Sequence, residues 1–194
     1  MVANIVLASA SPRRRRLLKR LGIKFKVCPS QINESQVVKE TPVQTVQNLA
    51  QLKAATVAQR SQSKLVIGAD TVVSWEGEIL EKPATPEEAS QMLSKLAGRW
   101  HRVFTGLALL YPEGEIIDYQ QTRVKFRALT NQEISQYIES GEPMDKAGGY
   151  GIQAKGALLV EKIEGCYYNV VGLPLARLVE LLASLGIEVN YRDE

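Results

Sequence analysis

The chain has 194 residues, of which 45% are hydrophobic and 23% are charged, so it can bury a core and is not expected to be disordered. Its 24 Lys and Arg against 21 Asp and Glu give a net charge of +3, which is too small to indicate nucleic-acid binding by itself. The single histidine, His101, excludes two-histidine zinc and iron sites and could serve only one Ser-His-Asp triad.

The cysteines and the N-terminus indicate the compartment. Cys28 and Cys166 do not form a C-x-x-C pair, which argues against a zinc ribbon or redox dithiol and favours two buried thiols in a reducing environment. The N-terminus is apolar first and basic second, the reverse of a secretory signal, and no apolar run approaches the ~20 residues of a bilayer span. We therefore expect a soluble, cytoplasmic protein.

Short apolar runs alternate with helical patterns, without repeats or a flexible linker, which indicates an α/β protein of one domain or two closely joined lobes. The predicted elements are, in chain order, a strand at 4–8, a helix at 12–22, a helix at 42–59, a strand at 65–69 ending at Asp70, a hairpin continuing to 83, a helix at 86–98, a hairpin of strands 103–110 and 116–126, a helix at 131–140, a glycine-rich loop at 145–156, a strand at 157–163, a helix at 173–185 and an edge strand in the tail.

Four of the helix starts carry capping signals. Ser11 and Thr41 each precede a proline at the first helical position. Thr85 and Thr130 are each followed three residues later by a glutamate, which is the pattern of a capping box.

The first predicted helix begins with a run of basic residues at 13–20. A helix N-terminus carries about half a positive charge, so a cation in the first turn costs ~0.3–1 kcal/mol. Four of these side chains lie away from the apolar face of the helix, and we call them the outer cationic face: Arg15, Arg16, Lys19 and Arg20. They are expected to form a solvated surface, with a nucleic-acid patch as the alternative.

Arg13 and Arg14 lie beside the apolar stripe of the same helix and need a partner. Two guanidinium groups, the Ser9 and Ser11 hydroxyls and the free N–H groups of a helix N-terminus can together bind a phosphate. The alternative is that the two arginines pair with carboxylates at the edge of the core.

Three further residues contradict their local pattern. Lys53 lies within the apolar stripe of the second predicted helix, where its ammonium either snorkels outward or meets a buried partner. Asp70 follows a buried strand, where α/β sheets usually bind ligands, and the extended pattern after it disfavours a turn. Lys82 ends the return strand of the hairpin, either as edge protection or as a ligand contact.

These features form a pattern with the glycine-rich loop, which contains Asp145, Lys146 and Gln153. Several cationic groups and a carboxylate are what a site needs for a polyphosphate whose metal-bound form is attacked by water. The chain contains no G-x-x-x-x-G-K-[ST] motif, so a P-loop enzyme is excluded.

Five sequence blocks closely resemble the Maf family of nucleoside triphosphate pyrophosphatases. They follow the family order over nearly the whole chain: S-A-S-P-R-R at 9–14, G-A-D-T at 68–71, E-K-P at 81–83, H-R-V-F-T-G at 101–106 and D-K-A-G-G-Y-G-I-Q at 145–153. One block departs from the family pattern, because Ala154 replaces the glycine that commonly follows Y-G-I-Q.

The resemblance implies a single Maf-like domain over 1–194, with a mixed central β-sheet flanked by helices and two lobes around a cleft, as in inosine triphosphatases. It implies hydrolysis of a nucleoside triphosphate to the monophosphate and pyrophosphate with a divalent cation, Mg²⁺ or Mn²⁺, and it suggests a homodimer. Arg13, Thr71 and Gln153 match the branch that acts on dTTP and UTP. Other pyrimidine or modified nucleotides are left open.

The resemblance also implies roles for individual residues. Asp70 matches the proton acceptor and could instead hold the metal, and Glu34 is a candidate second metal ligand or a solvated loop carboxylate. Charge on the triphosphate would be neutralised by a set of polar and cationic side chains: Ser9, Arg13, Arg14, Lys53, Lys82 and Lys146. Thr71 and Gln153 would contact a pyrimidine edge.

Parts of the sequence are compatible with two other functions. A protein that binds nucleic acid or a division partner through the basic helix at 13–20 is the alternative, but basic and aromatic residues are not interleaved elsewhere, so nucleic-acid binding is not favoured. A serine hydrolase using His101 lacks a G-x-S-x-G motif. His101 is expected to be a structural residue at a strand end.

Overall fold

The computed structural model describes residues 4–34, 40–61 and 63–189. Its strands are β1 (Ile5–Leu7), β2 (Phe25–Val27), β3 (Leu65–Trp75), β4 (Glu78–Leu80), β5 (Trp100–Tyr111), β6 (Gly114–Phe126) and β7 (Val160–Glu164). Its α-helices are α1 (Pro12–Lys19), α2 (Pro42–Ala58), α3 (Pro86–Leu96), α4 (Asn131–Glu139), α5 (Tyr167–Val171) and α6 (Leu175–Ser184). Short 3₁₀ turns at Glu142–Asp145, Ala147–Gly149 and Ala154–Leu159 connect α4 to β7.

The strands of the described residues form one mixed sheet in the order β2-β1-β3-β5-β6-β7, with β4 paired to β3. The pairs β1–β2 and β1–β3 are parallel, whereas β3–β4 and β6–β7 are antiparallel. This confirms the predicted α/β class with a mixed central sheet.

The predicted helix caps are formed, since each capping hydroxyl accepts a hydrogen bond from the backbone N–H three residues later. The capping box at Thr130 is complete. The box predicted at Thr85 forms only in part, because the Glu88 carboxylate accepts from the N–H of Ala84, one residue before the cap.

The sequence prediction differs from the structure in four places. Asp70 lies in the middle of β3 rather than at its end, since the strand runs on into the hairpin. Strand β7 begins at Val160, three residues later than predicted, because residues 154–159 form a 3₁₀ turn. Strand β2 and helix α5 were not predicted. The edge strand expected in the tail falls largely on residues 190–194, which lie outside the described residues.

Helix α5 owes its place to a tertiary contact rather than to a helical pattern. Its Asn169 is fully buried, and the Nδ2 amide donates hydrogen bonds to the Val103 carbonyl and the Thr122 hydroxyl, both at 3.0 Å. Because a five-residue helix has too few positions for apolar periodicity, the sequence pattern contains no signal for it.

The chain divides into two compact units, the first comprising residues 1–70, 105–120 and 172–194. In this unit α2 lies directly on the sheet backbone. A Cβ added to Gly68 of β3 would lie 2.1 Å from the Ala50 carbonyl oxygen, and one added to Gly106 of β5 would lie 2.1 Å from that of Val46. Glycine at both strand positions therefore permits the close approach of the helix, which also places Lys53 near β3.

The second unit comprises residues 71–104 and 121–171 and has its own apolar core. In that core the ring of His101 makes edge-to-face contacts with Phe126 and Tyr150, and its Nε2 is hydrogen-bonded to the Tyr150 hydroxyl at 2.7 Å. Burial lowers the pKa of His101 to about 3. This confirms the prediction that His101 is a structural residue near a strand end.

Two expectations about the chain's environment can be compared with the structure. The prediction that both cysteines are buried is wrong, since Cys28 and Cys166 are free and only partly buried. Within the described ranges, no helix has the length and apolar composition needed to span a membrane.

Candidate active site

The first unit brings three of the predicted site residues into one ion-paired cluster. Lys53 Nζ lies 2.5 Å from Asp70 Oδ1 and 2.7 Å from Glu34 Oε1. Lys53 and Asp70 are each only 6% exposed, whereas the Glu34 side chain is 45% exposed. An ammonium shared by two carboxylates is a costly arrangement to bury unless each charge is compensated, so the cluster indicates a functional site.

The cluster decides two alternatives that the sequence leaves open. The Lys53 ammonium turns inward to Asp70, so the expectation that it snorkels into solvent is wrong. Glu34 keeps 45% of its side chain in solvent but is ion-paired with Lys53, so it is a partly solvated carboxylate with a fixed cationic partner.

The same cluster fits a divalent cation. Mg²⁺ is commonly held by one or two carboxylates together with water and substrate phosphates, and two carboxylates converge here on one positive charge. Among the described residues no group of three or more His, Cys, Asp or Glu side chains could hold a metal without such help. Asp70 and Glu34 are therefore the candidate ligands.

The N-terminus of α1 contributes Arg14 and Ser9 to the same unit. The Arg14 Nε donates a hydrogen bond of 2.8 Å to the Gly172 carbonyl, and its Nη1 donates one of 3.5 Å to the Ser9 hydroxyl. The Ser9 hydroxyl also accepts from the N–H of Ser11 at 3.2 Å. Burial lowers the pKa of Arg14, and the negative charge of Asp70 opposes that shift, so the two groups share one electrostatic environment.

The basic run of α1 divides as predicted. The side chains of the outer cationic face are exposed, whereas Arg13 and Arg14 are half-buried. The first turn contains no acidic residue to offset the helix dipole. An anion bound there would be favoured by the dipole and by both arginines.

The other predicted site residues belong to the second unit. Thr71 follows Asp70 in β3 and is half-buried, as is Gln153. Lys82 is exposed and lies two residues beyond β4, so the expectation that it ends that strand is wrong. Lys146 Nζ donates to the Glu142 carbonyl at 2.6 Å and to Asp145 Oδ1 at 2.5 Å.

The comparison with protein families agrees with the sequence motifs. A family model described as "Maf-like protein" matches residues 4–185. The chain belongs to the Maf family. The resemblance that the five sequence blocks indicated is thereby confirmed.

Relatives in the Maf family cover nearly the whole chain. A protein of Moorella thermoacetica named dTTP/UTP pyrophosphatase is 50% identical over 192 residues, which is 97% of this chain and 98% of the relative. Proteins of the same name from Symbiobacterium thermophilum and Dictyoglomus thermophilum are 46% and 50% identical over 185 and 189 residues, covering 95% and 96% of this chain and 95% and 98% of the relatives. The Ham1 protein of Staphylococcus aureus aligns with a TM-score of 0.46 and 18% identity over 63% of this chain and 71% of that one.

Two residues around the glycine-rich Maf loop were missed by the sequence analysis. Glu142 and Tyr137 hydrogen-bond to the backbone of residues 151–156. Glu142 lies in a turn just after α4. A turn has no hydrophobic periodicity, so a charged residue there does not stand out in the sequence. Its position directly before a proline and close to the loop was the only available signal.

Proposed function

We propose that this chain is a nucleoside triphosphate pyrophosphatase that hydrolyses dTTP and UTP to the monophosphate and pyrophosphate. The observation that carries the proposal is the buried Asp70 carboxylate, which is paired with Lys53 and lies in the same unit as the cationic N-terminus of α1. Relatives that are 46–50% identical over nearly the whole chain and are named dTTP/UTP pyrophosphatases support it.

In the proposed reaction, water attacks the α-phosphorus of the nucleotide. The bond between that phosphorus and the oxygen bridging to the β-phosphorus breaks, and pyrophosphate leaves with the bonding electrons. Asp70 accepts the proton of the attacking water, which is the role of a general base. Its burial limits competition from solvent, and its pairing with Lys53 fixes the position of the carboxylate.

The cations of the first unit bind the triphosphate. Arg14 is held at Nε by the Gly172 carbonyl, so its guanidinium has a fixed orientation before substrate binds. Arg13, Ser9 and the N-terminus of α1 extend this anion site. Lys53 stabilises the negative charge that develops on the bridging oxygen, which is where cationic groups accelerate anhydride cleavage most.

A divalent cation, Mg²⁺ or Mn²⁺, would be held by Glu34 together with Asp70, the two carboxylates that share the Lys53 ammonium. Holding the ion is the alternative role of Asp70 to accepting the proton directly. When bound, such an ion supplies positive charge that neutralises triphosphate oxygens. The Glu34 carboxylate is half in solvent, so it can exchange Lys53 for another cation without unfolding the core.

The residues of the second unit are assigned to the base and the remaining phosphates. Thr71 and Gln153 offer a hydroxyl and an amide to the edge of a pyrimidine, and such groups reject bases that leave them unpaired. Lys82 is exposed, and the resemblance assigns it to a phosphate. Lys146 would have to exchange its bond to Asp145 or Glu142 to contact a phosphate.

We further propose that residues 1–194 act as one Maf-like domain and that the protein works in the cytoplasm, where its two free cysteines stay reduced. A homodimer stays a prediction of the family resemblance. Binding of nucleic acid or a division partner by the outer cationic face stays the alternative function.

The test measures pyrophosphate released from a panel of NTPs and dNTPs with Mg²⁺ or Mn²⁺. The wild type is expected to prefer dTTP and UTP, and Asp70→Asn is expected to lose about 10²–10⁴-fold in kcat, the contribution typical of a general base. The matched control is Asp118→Asn, which removes a carboxylate paired with Arg177 outside the cluster. A wild type without activity on any nucleotide would contradict the function, and full activity in Asp70→Asn would contradict the mechanism.

A further inference from the structure

The glycine-rich loop of the second unit is held by a carboxylate that the proposed reaction does not use. Glu142 follows α4 after Gly141, whose φ of +71° turns the chain back toward the loop. Glu142 Oε2 accepts a hydrogen bond from the N–H of Lys155 at 3.1 Å, and Oε1 accepts one from the N–H of Gly156 at 3.2 Å. One carboxylate thus binds two successive peptide groups.

Tyr137 extends this arrangement to the other end of the loop. Its hydroxyl donates to Glu142 Oε1 at 3.2 Å and accepts from the N–H of Gly151 at 3.3 Å. Burial raises the pKa of Tyr137, so the phenol keeps the proton that it donates. We call Glu142 and Tyr137 together the loop clamp.

The two ends of the loop also contact each other. A Cβ added to Gly156 would lie 2.1 Å from the Gly151 carbonyl oxygen and 2.8 Å from the Tyr137 hydroxyl. Only glycine fits at this contact, so residues 151–156 form a closed loop with the clamp against it. The bound N–H groups at 151 and 155 leave Gln153 midway between two fixed points.

The loop clamp determines the position of the backbone that carries Gln153. An amide side chain selects a base by hydrogen bonds, and such bonds discriminate only when donor and acceptor are held within a few tenths of an ångström. Ala154, directly after Gln153, has a φ of +54°, a conformation that an alanine adopts only when its surroundings impose it. The hydrogen bonds that Glu142 accepts from the N–H groups of Lys155 and Gly156 hold Ala154 in this conformation.

We propose that Glu142, assisted by Tyr137, is a positioning residue that sets nucleotide selectivity by orienting Gln153. This inference rests on the proposed function, because it assigns the loop to base selection in the same reaction. In this role Glu142 acts through the backbone of residues 155 and 156 rather than by contact with the nucleotide. Its effect therefore falls on the difference between nucleotides more than on the hydrolysis that all of them share.

The experiment compares Glu142→Gln with the wild type. The glutamine keeps the size of the side chain but turns one acceptor into a donor, which faces a backbone N–H and cannot bond to it. Tyr137→Phe removes only the hydroxyl and tests the clamp from its other side. Glu139→Gln is the matched control, since it removes the same charge from an exposed position on α4.

Three quantities are measured for each protein: kcat and KM for dTTP, UTP, CTP and GTP, the melting temperature, and amide hydrogen exchange of residues 151–156. In Glu142→Gln we expect the ratio of kcat/KM for UTP over GTP to fall about tenfold or more, which corresponds to about 1.4 kcal/mol. Most of the loss should be in KM, and exchange at Lys155 and Gly156 should accelerate. Tyr137→Phe should show a smaller change in the same direction, and Glu139→Gln none.

The outcomes separate the inference from the function on which it rests. If Glu142→Gln lowers kcat/KM equally for all four nucleotides, or leaves loop exchange unchanged while the wild type is selective, the positioning role is overturned and the proposed function stands. If Glu142→Gln fails to fold, Tyr137→Phe decides by the same ratio. A wild type inactive on every nucleotide overturns both the function and the selectivity role.

Discussion

Lys53→Met is expected to lower the free energy of unfolding by about 3 kcal/mol at pH 7. Lys53 and Asp70 are each 6% exposed, and the Lys53 ammonium lies 2.5 Å from the Asp70 carboxylate. Removing one member of a buried pair leaves the other charge uncompensated, which typically costs ~3–5 kcal/mol. The lower end applies here because Arg14 also acts on the charge of Asp70.

The measurement is urea denaturation of wild type and variants, with the m values compared to confirm two-state unfolding. Lys95→Met is the matched control, since Lys95 also lies on a helix and pairs with Glu78 at 2.8 Å, but both side chains are about half exposed. Breaking such a surface pair should cost about 1 kcal/mol or less. Equal losses in the two variants would refute the reasoning.

A double variant tests whether the loss comes from the uncompensated carboxylate. Asp70→Asn removes the charge that Lys53→Met leaves behind, so the two together should cost less than the sum of the single changes by about 1–2 kcal/mol. Strict additivity would mean that Lys53 stabilises the fold by packing of its stem alone.

Two further changes follow from single features of the second unit. Burial lowers the pKa of His101 to about 3 in the folded protein, whereas a histidine in the unfolded chain has a pKa near 6.5. The contribution of His101 to stability is therefore complete above about pH 6.5 and is lost as the pH is lowered, by about 2 kcal/mol at pH 5. Urea denaturation at several pH values measures this loss, and His101→Gln should make stability less dependent on pH. Ala154→Gly removes the strain of an alanine in the left-handed conformation, which costs the folded state ~1–2 kcal/mol. The glycine also gives the unfolded chain more conformational entropy, which lowers the free energy of unfolding by ~0.4–1 kcal/mol. The net effect should be a slightly higher Tm, and a lower Tm would contradict the presence of strain at Ala154.

The helix boundaries could be predicted from the sequence because they depend on local chemistry. A hydroxyl at the cap and a proline at the first helical position satisfy or remove backbone donors within one turn, and the structure forms each of these caps. The incomplete capping box at Thr85 also results from contacts within one helical turn. The Glu88 side chain reaches one residue past the cap and accepts from the N–H of Ala84, and sequence spacing does not distinguish this donor from the N–H of Thr85.

The position of Asp70 within β3 could not be predicted in this way. The residues after it are β-branched, which correctly predicts an extended chain, but a carboxylate directly after an apolar run resembles the end of a strand. A charged residue in mid-strand is stable only if a partner reaches it. That partner, Lys53, is 17 positions earlier in the chain, and no local pattern connects the two.

The glycines explain why the connection exists. Gly68 lies two residues before Asp70 on the same face of β3, and its missing side chain lets Ala50 of α2 approach the strand. Lys53 lies three residues after Ala50, nearly one helical turn along, and therefore faces the strand where Asp70 emerges. A lysine within an apolar stripe and a glycine within an apolar strand look like two unrelated weaknesses in the sequence. In the folded protein, the missing side chain of Gly68 lets α2 approach β3 closely enough for Lys53 to form a buried ion pair with Asp70. Gly68→Ala should therefore displace α2 and separate Lys53 from Asp70 without altering either residue.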